Sequence, residues 1–276
     1  MLAAAAPLVL IGAGKMGSAM LSGWLGKGLD PAGVTIVDPG LDAADRNDLA
    51  GQGVGVFATA SDAAGRPRGP AKILVLAVKP QNMDAVLAEV VGLTGPETVV
   101  VSIAAGIRMA TLTAAFAEGQ TVVRVMPNTP AQVGAGMAVA IANEALKADD
   151  RALVDALMAA TGAVAWIDDE ALMDAVTAVS GSGPAYVFYL AECLAAAGQA
   201  AGLDKALAEQ LARQTVVGGG ALLDAASEPA AVLRQNVTSP GGTTAAALAV
   251  LMADDGLKPL LEKAIAAAKA RSIELG

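Results

Sequence analysis

A chain of 276 residues is long enough for two domains, and its formal charge of -9 excludes the basic face that nucleic acid or an anionic membrane surface requires. Lys and Arg are scattered, the pI is about 4.5, and the absence of His with a single Cys excludes imidazole catalysis and any thiolate or His-rich metal site. One Cys, Cys193, also excludes an intrachain disulfide, which fits a reducing compartment and a cytoplasmic location. The mean hydropathy of +0.55 is high, yet the long uncharged run from Ala175 to Ala191 is interrupted by Ser180, Gly181, Ser182, Gly183 and Pro184. No segment reads as a membrane span, and Met1 to Gly14 lacks the basic start of a signal peptide.

In chain order, Leu8 to Ile11 is a short continuous apolar run of the buried-strand kind, followed at once by Gly12, Ala13, Gly14, Lys15, Met16 and Gly17 and then by an apolar helical pattern through Trp24. This is GxGxxG between a strand and a helix. The first glycine permits a tight turn, the second lets a pyrophosphate approach the backbone, and the third lets the helix pack closely on the strand. The next strand, Val34 to Val37, ends in Asp38, about 20 residues after the glycines, where a carboxylate would bind the ribose of a dinucleotide. The alternative is a purely structural glycine turn. The segment Arg66, Pro67, Arg68 reads as a solvated loop.

Lys72 to Val78 is a third buried strand, with Ala77, Val78, Lys79 and Pro80 at its end. Ligands of open parallel sheets lie beyond the carboxyl ends of the strands, so these residues are expected beside the nicotinamide, Lys79 being either a cofactor contact or a solvated strand-end lysine. Thr98 to Ile103 repeats the pattern and places Ile103, Ala104, Ala105 and Gly106 at its end. Val122 to Met126 is the fifth strand, and Pro127 and Pro130 fix a turn expected to aim Asn128 into the same crevice. Gly136 to Ile141 and Ala163 to Ile167 read as further strands around a helix from about Asp149 to Ala160.

Alternation of strands and helices stops near Asp168. The predicted architecture is therefore α/β, with a Rossmann-type, doubly wound, mostly parallel sheet over residues 1-168 and an all-α domain over 169-276. Breakers in the second part fall at Ser180 to Pro184, Gly202, Gly218 to Gly220, Ser227 to Pro229 and Ser239 to Gly242. Its Ala- and Leu-rich helices carry few polar residues on any face, which predicts burial against a second copy. Asn236 to Thr244, NVTSPGGTT, has the order of a helix end, a proline stop, two glycines and threonines opening another helix. Such a turn either connects two helices, with Thr243 or Thr244 as cap, or offers unpaired N-H groups and the hydroxyls of Ser239, Thr243 and Thr244 to a small anion.

Taken together, GAGKMG at Gly12 to Gly17, AVKPQ at Ala77 to Gln81, SIAAG at Ser102 to Gly106, MPNTP at Met126 to Pro130, SGSGPAYVF at Ser180 to Phe188 and SPGGTT at Ser239 to Thr244 resemble the pyrroline-5-carboxylate reductase family. The resemblance runs nearly the whole chain and implies a C-terminal dimerisation domain and reduction of 1-pyrroline-5-carboxylate to L-proline with NADPH or NADH. It implies cofactor contacts from Gly12 to Gly17, Ala77 to Pro80, Ile103 to Ala105 and Asn236. It also implies substrate contacts from Ser239, Gly241, Gly242, Thr243 and Thr244, with Thr244 bonded to the ring nitrogen as the catalytic residue. A homodimer is expected, of the kind that builds into a larger ring in some relatives, with the site completed across it. Asp38 departs from the Ser or Asn common at its position, so NADH is expected to be less disfavoured than usual, Arg46 being the side chain that could offset the acid. Two rivals stand beside this reading. A β-hydroxyacid dehydrogenase would need a lysine on the long helix over 185-201, and a nucleotide-sensing protein would bind without turnover.

Overall fold

The computed structural model describes residues 2-65 and 69-276, so the segment Arg66 to Arg68 lies outside the described residues. The chain divides into two compact units, one running to Gly181 and including Lys269-Gly276, the other Ser182-Ala268.

In the first unit, eight strands form one sheet: β1 Leu8-Ile11, β2 Val34-Val37, β3 Gly55-Phe57, β4 Ile73-Leu76, β5 Val99-Ser102, β6 Thr121-Met126, β7 Gly136-Ala142 and β8 Gly162-Trp166. Their order is β3-β2-β1-β4-β5-β6-β7-β8, and every pairing is parallel except β6 with β7. β1, β2, β4 and β5 are buried throughout, which is why they read as continuous apolar runs. Alternate residues supply opposite faces. Leu8, Leu10, Ile73, Val75, Val99 and Val101 enter one core, with Met20, Leu21 and Trp24 of α1 (Lys15-Gly26) and Leu153, Val154, Leu157 and Met158 of α6 (Ala148-Ala159). Val9, Ile11, Leu74, Leu76 and Val100 enter the other, with α3 (Ala60-Ala64), α4 (Met83-Val90) and α5 (Met109-Ala114). α2 (Ala43-Gly51) follows β2 and buries none of its residues. The indole N-H of Trp24 donates to the carbonyl of Leu157 at 2.9 Å, joining α1 to α6 beneath the sheet.

Strand β3 was not anticipated: it has three residues, none fully buried, and lies at the sheet edge, so it leaves no apolar run to read. After β8 the regular structure among the described residues is helical. α7 (Met173-Val176) runs into a π-helical turn, Thr177-Gly181, as the first unit closes. A Cβ on Gly181 would meet the end of the Met126 side chain, so the turn lies close against β6.

The second unit holds α8 (Gly183-Ala200), α9 (Lys205-Ala225), α10 (Ala230-Asn236), α11 (Thr243-Leu251) and most of α12 (Leu257-Leu275). Pro184 lies in the first turn of α8, where its missing N-H costs nothing. α8 and α9 close on each other through Ala195, Gly198, Ala208 and Ala212. One expected breaker fails: α9 passes straight through Gly218, Gly219 and Gly220. Each glycine weakens a helix by about 1 kcal/mol relative to Ala without barring it, and the packed, 21-residue helix absorbs that. Nothing lies within 4 Å of where a Cβ would stand on any of the three. Phe188, Leu222 and Val250 are 63%, 62% and 72% exposed, more apolar surface than a solitary helical unit normally shows.

Candidate functional site

A crevice opens beyond the carboxyl ends of β1, β2 and β4, where the chain leaves neighbouring β1 and β4 toward opposite halves of the sheet. It encloses about 830 Å³, within the range of cofactor sites. Ile11 to Gly14, Val37 to Leu41 and Ala77 to Lys79 form its walls, with α3 and α4 closing the side.

The glycine loop is set by close approach. Gly12 has φ +90°, and a Cβ there would stand 2.7 Å from the Ala77 carbonyl oxygen. Its N-H donates to the Val37 carbonyl at 2.9 Å, tying β1's end to β2. A Cβ on Gly17 would collide with the Gly12 carbonyl, so the helix lies against the turn as close as backbone permits. Gly14, the N-cap of α1, is different: a Cβ would meet nothing within 4 Å. Open space thus lies in front of the helix start. The first intrahelical bond joins Ser18 N-H to the Gly14 carbonyl, so the N-H groups of Lys15, Met16 and Gly17 lack helical acceptors and carry the positive end of the dipole.

Asp38 stands at the mouth of this loop. One carboxylate oxygen accepts the Ala13 N-H at 2.7 Å and the other the Gly40 N-H at 2.7 Å. Each oxygen keeps acceptor capacity toward the crevice.

Of the expected cofactor residues, the crevice gathers Gly12, Ala13, Gly14, Asp38, Ala77, Val78 and Lys79. Lys15 is exposed at the start of α1, Met16 packs partly against the core, and Pro80 opens the exposed 3-10 turn Pro80-Asn82. Ile103 and Ala104 are buried, one in each core, and Ala105 is exposed. Asn128 is not among the lining residues. Its side chain is bonded within the fold rather than lining the crevice: Oδ1 accepts the Met137 N-H at 2.8 Å, and Nδ2 donates to the carbonyl and hydroxyl oxygens of Ser180, each at 3.3 Å. The crevice also brings in residues the sequence reading passed over. Asp42 and Asp45 belong to the start of α2, where Asp42 caps by accepting the Asp45 N-H at 2.8 Å, while Asn82 comes from the turn after β4 and Glu89 from α4. The Asp-x-x-Asp spacing before a helix was the available signal. Arg46 is not among the lining residues.

The turn Asn236 to Thr244 belongs to the second unit. Asn236 is the exposed last residue of α10, and the Thr238 hydroxyl donates to the Arg234 carbonyl at 2.6 Å. Gly241 has φ +70°, a conformation glycine adopts freely. Gly242 is the N-cap of α11, so neither Thr243 nor Thr244 caps the helix; they are its first two residues. The first intrahelical bond runs from Ala246 N-H to the Gly242 carbonyl at 3.2 Å. Thr243, Thr244 and Ala245 therefore present N-H groups without helical acceptors, beside the hydroxyls of Ser239, Thr243 and Thr244. A Cβ on Gly242 would collide with the Ser239 hydroxyl oxygen, which therefore lies against the turn backbone. Thr244 is half-buried; Ser239 and Thr243 are exposed.

Among the described residues no group of three or more His, Cys, Asp and Glu is placed to hold a metal, and no helix is long and apolar enough to cross a membrane.

Residues 170-275 match the family model for pyrroline-5-carboxylate reductase dimerisation, and residues 7-106 match that for NADP oxidoreductase, coenzyme F420-dependent. The chain is 40% identical to the pyrroline-5-carboxylate reductase of Pseudomonas aeruginosa over 269 residues, covering 97% of this chain and 96% of the relative. To the enzyme of that name from Arabidopsis thaliana it is 37% identical, covering 96% and 94%. A solved pyrroline-5-carboxylate reductase from Coxiella burnetii superposes with a TM-score of 0.90 at 34% identity over 99% of both chains. That of Plasmodium falciparum, solved with NADP bound, superposes with a TM-score of 0.80 at 28% identity over 98% of both.

Proposed function

The chain belongs to the pyrroline-5-carboxylate reductase family, and from that premise we propose that it reduces 1-pyrroline-5-carboxylate to L-proline by hydride transfer from NADPH or NADH, the last step of proline biosynthesis. The observation that carries the reading is the glycine loop: tightly packed at Gly12 and Gly17, open at Gly14, and set in a crevice of about 830 Å³. These residues fit a dinucleotide. The α1 N-terminus would take the pyrophosphate, Asp38 the ribose hydroxyls, and Ala77 to Pro80 with Ile103 to Ala105 the nicotinamide side. Asn236 is assigned to the cofactor by its position in the family motif. Asn128 is proposed as a positioning residue that holds the strand end to Ser180.

The bound dinucleotide supplies the hydride. The rest is holding and charge placement. A protonated cyclic imine is already electrophilic at the accepting carbon, so a chain without His suffices. The carboxylate of the substrate is a natural ligand for the free N-H groups at the start of α11 and the hydroxyls of Ser239 and Thr243, with Gly241 and Gly242 letting it approach the backbone. The Thr244 hydroxyl would hydrogen-bond the ring nitrogen and fix the face of the imine.

Functional domains are drawn at 1-168 and 169-276, where alternation of strands and helices ends; the dimerisation match over 170-275 supports this division. The chain is a homo-oligomer, proposed to be a dimer through its helical part that can build into a ring of dimers. The acidic charge and scattered cations support a protein that leaves nucleic acid alone, and the single Cys supports a cytoplasmic setting. The β-hydroxyacid dehydrogenase alternative lacks its proton donor, since α8 carries no lysine.

The test is the loss of reduced-cofactor absorbance on addition of 1-pyrroline-5-carboxylate, with L-proline identified as product. Substrate-dependent turnover is expected. Cofactor binding without turnover would favour the nucleotide-sensing alternative and overturn the proposal.

A further inference from the structure

The crevice that would take the cofactor carries four carboxylates, Asp38, Asp42, Asp45 and Glu89, against one ammonium, Lys79, among its described lining residues. Resting on the cofactor reading above, we infer that this charge set selects NADH over NADPH, with Asp38 and Asp45 as the specificity-determining residues.

The difference between the two cofactors is one phosphate on the adenosine 2′ oxygen. Asp38 is fixed where that oxygen would come, because both of its own oxygens are held by backbone N-H groups at 2.7 Å, one in the glycine loop and one in the turn after β2. So anchored, the carboxylate cannot swing aside at low cost, and its remaining lone pairs accept hydroxyl donors. A free 2′ hydroxyl can donate to it. A phosphate cannot, and faces it as a like charge.

The start of α2 closes the usual alternative. A helix N-terminus after the second strand could have received a phosphate on its free N-H groups. Here Asp42 already accepts the Asp45 N-H at 2.8 Å, and Asp45 adds a second negative charge in the first turn. Arg46, one residue on, projects about 100° around the helix from Asp45 and is absent from the lining, so it does not neutralise that face. A like charge at a few ångströms in a partly desolvated cleft weakens binding by about tenfold. Two such charges predict a preference of about 100-fold for the cofactor without the phosphate.

The experiment is calorimetric titration of the assembled protein with NAD+ and with NADP+ in the absence of substrate, repeated at rising salt. NAD+ is expected to bind about 100-fold more tightly at low salt, with the gap narrowing as salt screens the carboxylates. In Asp45→Asn the gap is expected to narrow severalfold, chiefly through tighter NADP+ binding. Asp38→Asn is expected to weaken NAD+ and strengthen NADP+, with circular dichroism confirming that the variants fold. NADP+ binding as tightly as NAD+ to the unaltered protein overturns the inference and leaves the cofactor reading standing. A gap that does not respond to salt overturns the electrostatic cause and the inference with it. If neither dinucleotide binds, the cofactor reading falls and takes the inference with it.

Discussion

Arg124 and Glu170 lie 46 residues apart in sequence and meet at 2.7 Å, and the same Glu170 oxygen accepts the N-H of Met109 at 2.7 Å. The Arg124 side chain, on central strand β6, is only 8% exposed, so its guanidinium depends on this carboxylate for neutralisation. Glu170→Ala is expected to lower stability by about 2 to 3 kcal/mol, because it leaves a nearly buried cation and an amide unpaired. Glu97→Ala, which breaks a fully surface pair with Lys147, should shift stability by less than about 0.5 kcal/mol. Denaturant melts of the two variants side by side check the contrast.

Within the glycine loop, two substitutions of the same chemistry should part company. Gly12→Ala forces a Cβ against the Ala77 carbonyl at φ +90° and is expected to destabilise the fold by more than about 1 kcal/mol. Gly14→Ala meets no protein atom, so the melting temperature should hold. Its methyl group instead enters the space in front of α1, and dinucleotide affinity should fall about tenfold or more. Melting and calorimetry on both variants separate the packing glycine from the binding one.

Thr244→Val keeps the shape of the side chain and removes its hydroxyl. If that hydroxyl orients the imine, kcat/KM for 1-pyrroline-5-carboxylate falls by the equivalent of about 1 to 3 kcal/mol while dinucleotide affinity barely moves. Since Gly242 provides the N-cap, no lost cap complicates the result. Ser239→Ala is expected to act mainly on KM, a carboxylate contact being equally present in ground and transition states. A lowered melting temperature for Thr244→Val with unchanged kcat/KM would defeat its catalytic role.

Gly219→Leu tests the assembly. The position is free of neighbours within the chain, so a large side chain there should leave the subunit folded. Light scattering is expected to show the variant shifted toward the 27.1 kDa monomer if the glycine face of α9 packs against a second copy. A variant that stays fully assembled would place the interface elsewhere.

Much of this was legible because it is local. β1, the glycine turn and Asp38 fall within 31 consecutive residues, from Leu8 to Asp38, and each is dictated by the conformation its neighbours require. The same holds for Pro184 and for the SPGGTT turn. What escaped reading depends on distant partners. The Asn128 side chain is held by the Met137 N-H at one end and by Ser180, 52 residues away, at the other, and no local rule predicts that pairing. Gly218 to Gly220 look like a stop, but each costs only about 1 kcal/mol, which a helix of 21 residues tolerates. The acids of α2 went unread because only the sheet order brings them to the crevice beside Asp38.

The two edges of the sheet carry a consequence for how copies of this chain can meet. One edge strand, β3, is three residues long, and the other, β8, is five. At the β8 end, the Trp166 ring is clasped from α6, with the Arg151 guanidinium 4.4 Å above its centroid and the indole N-H donating to Asp155 at 2.7 Å. Ladders this short make poor templates for a foreign strand, so backbone pairing between copies is discouraged at both margins. Recognition of self is thereby left to side-chain fit between helices, a mode with a defined stoichiometry, instead of open-ended growth into fibres.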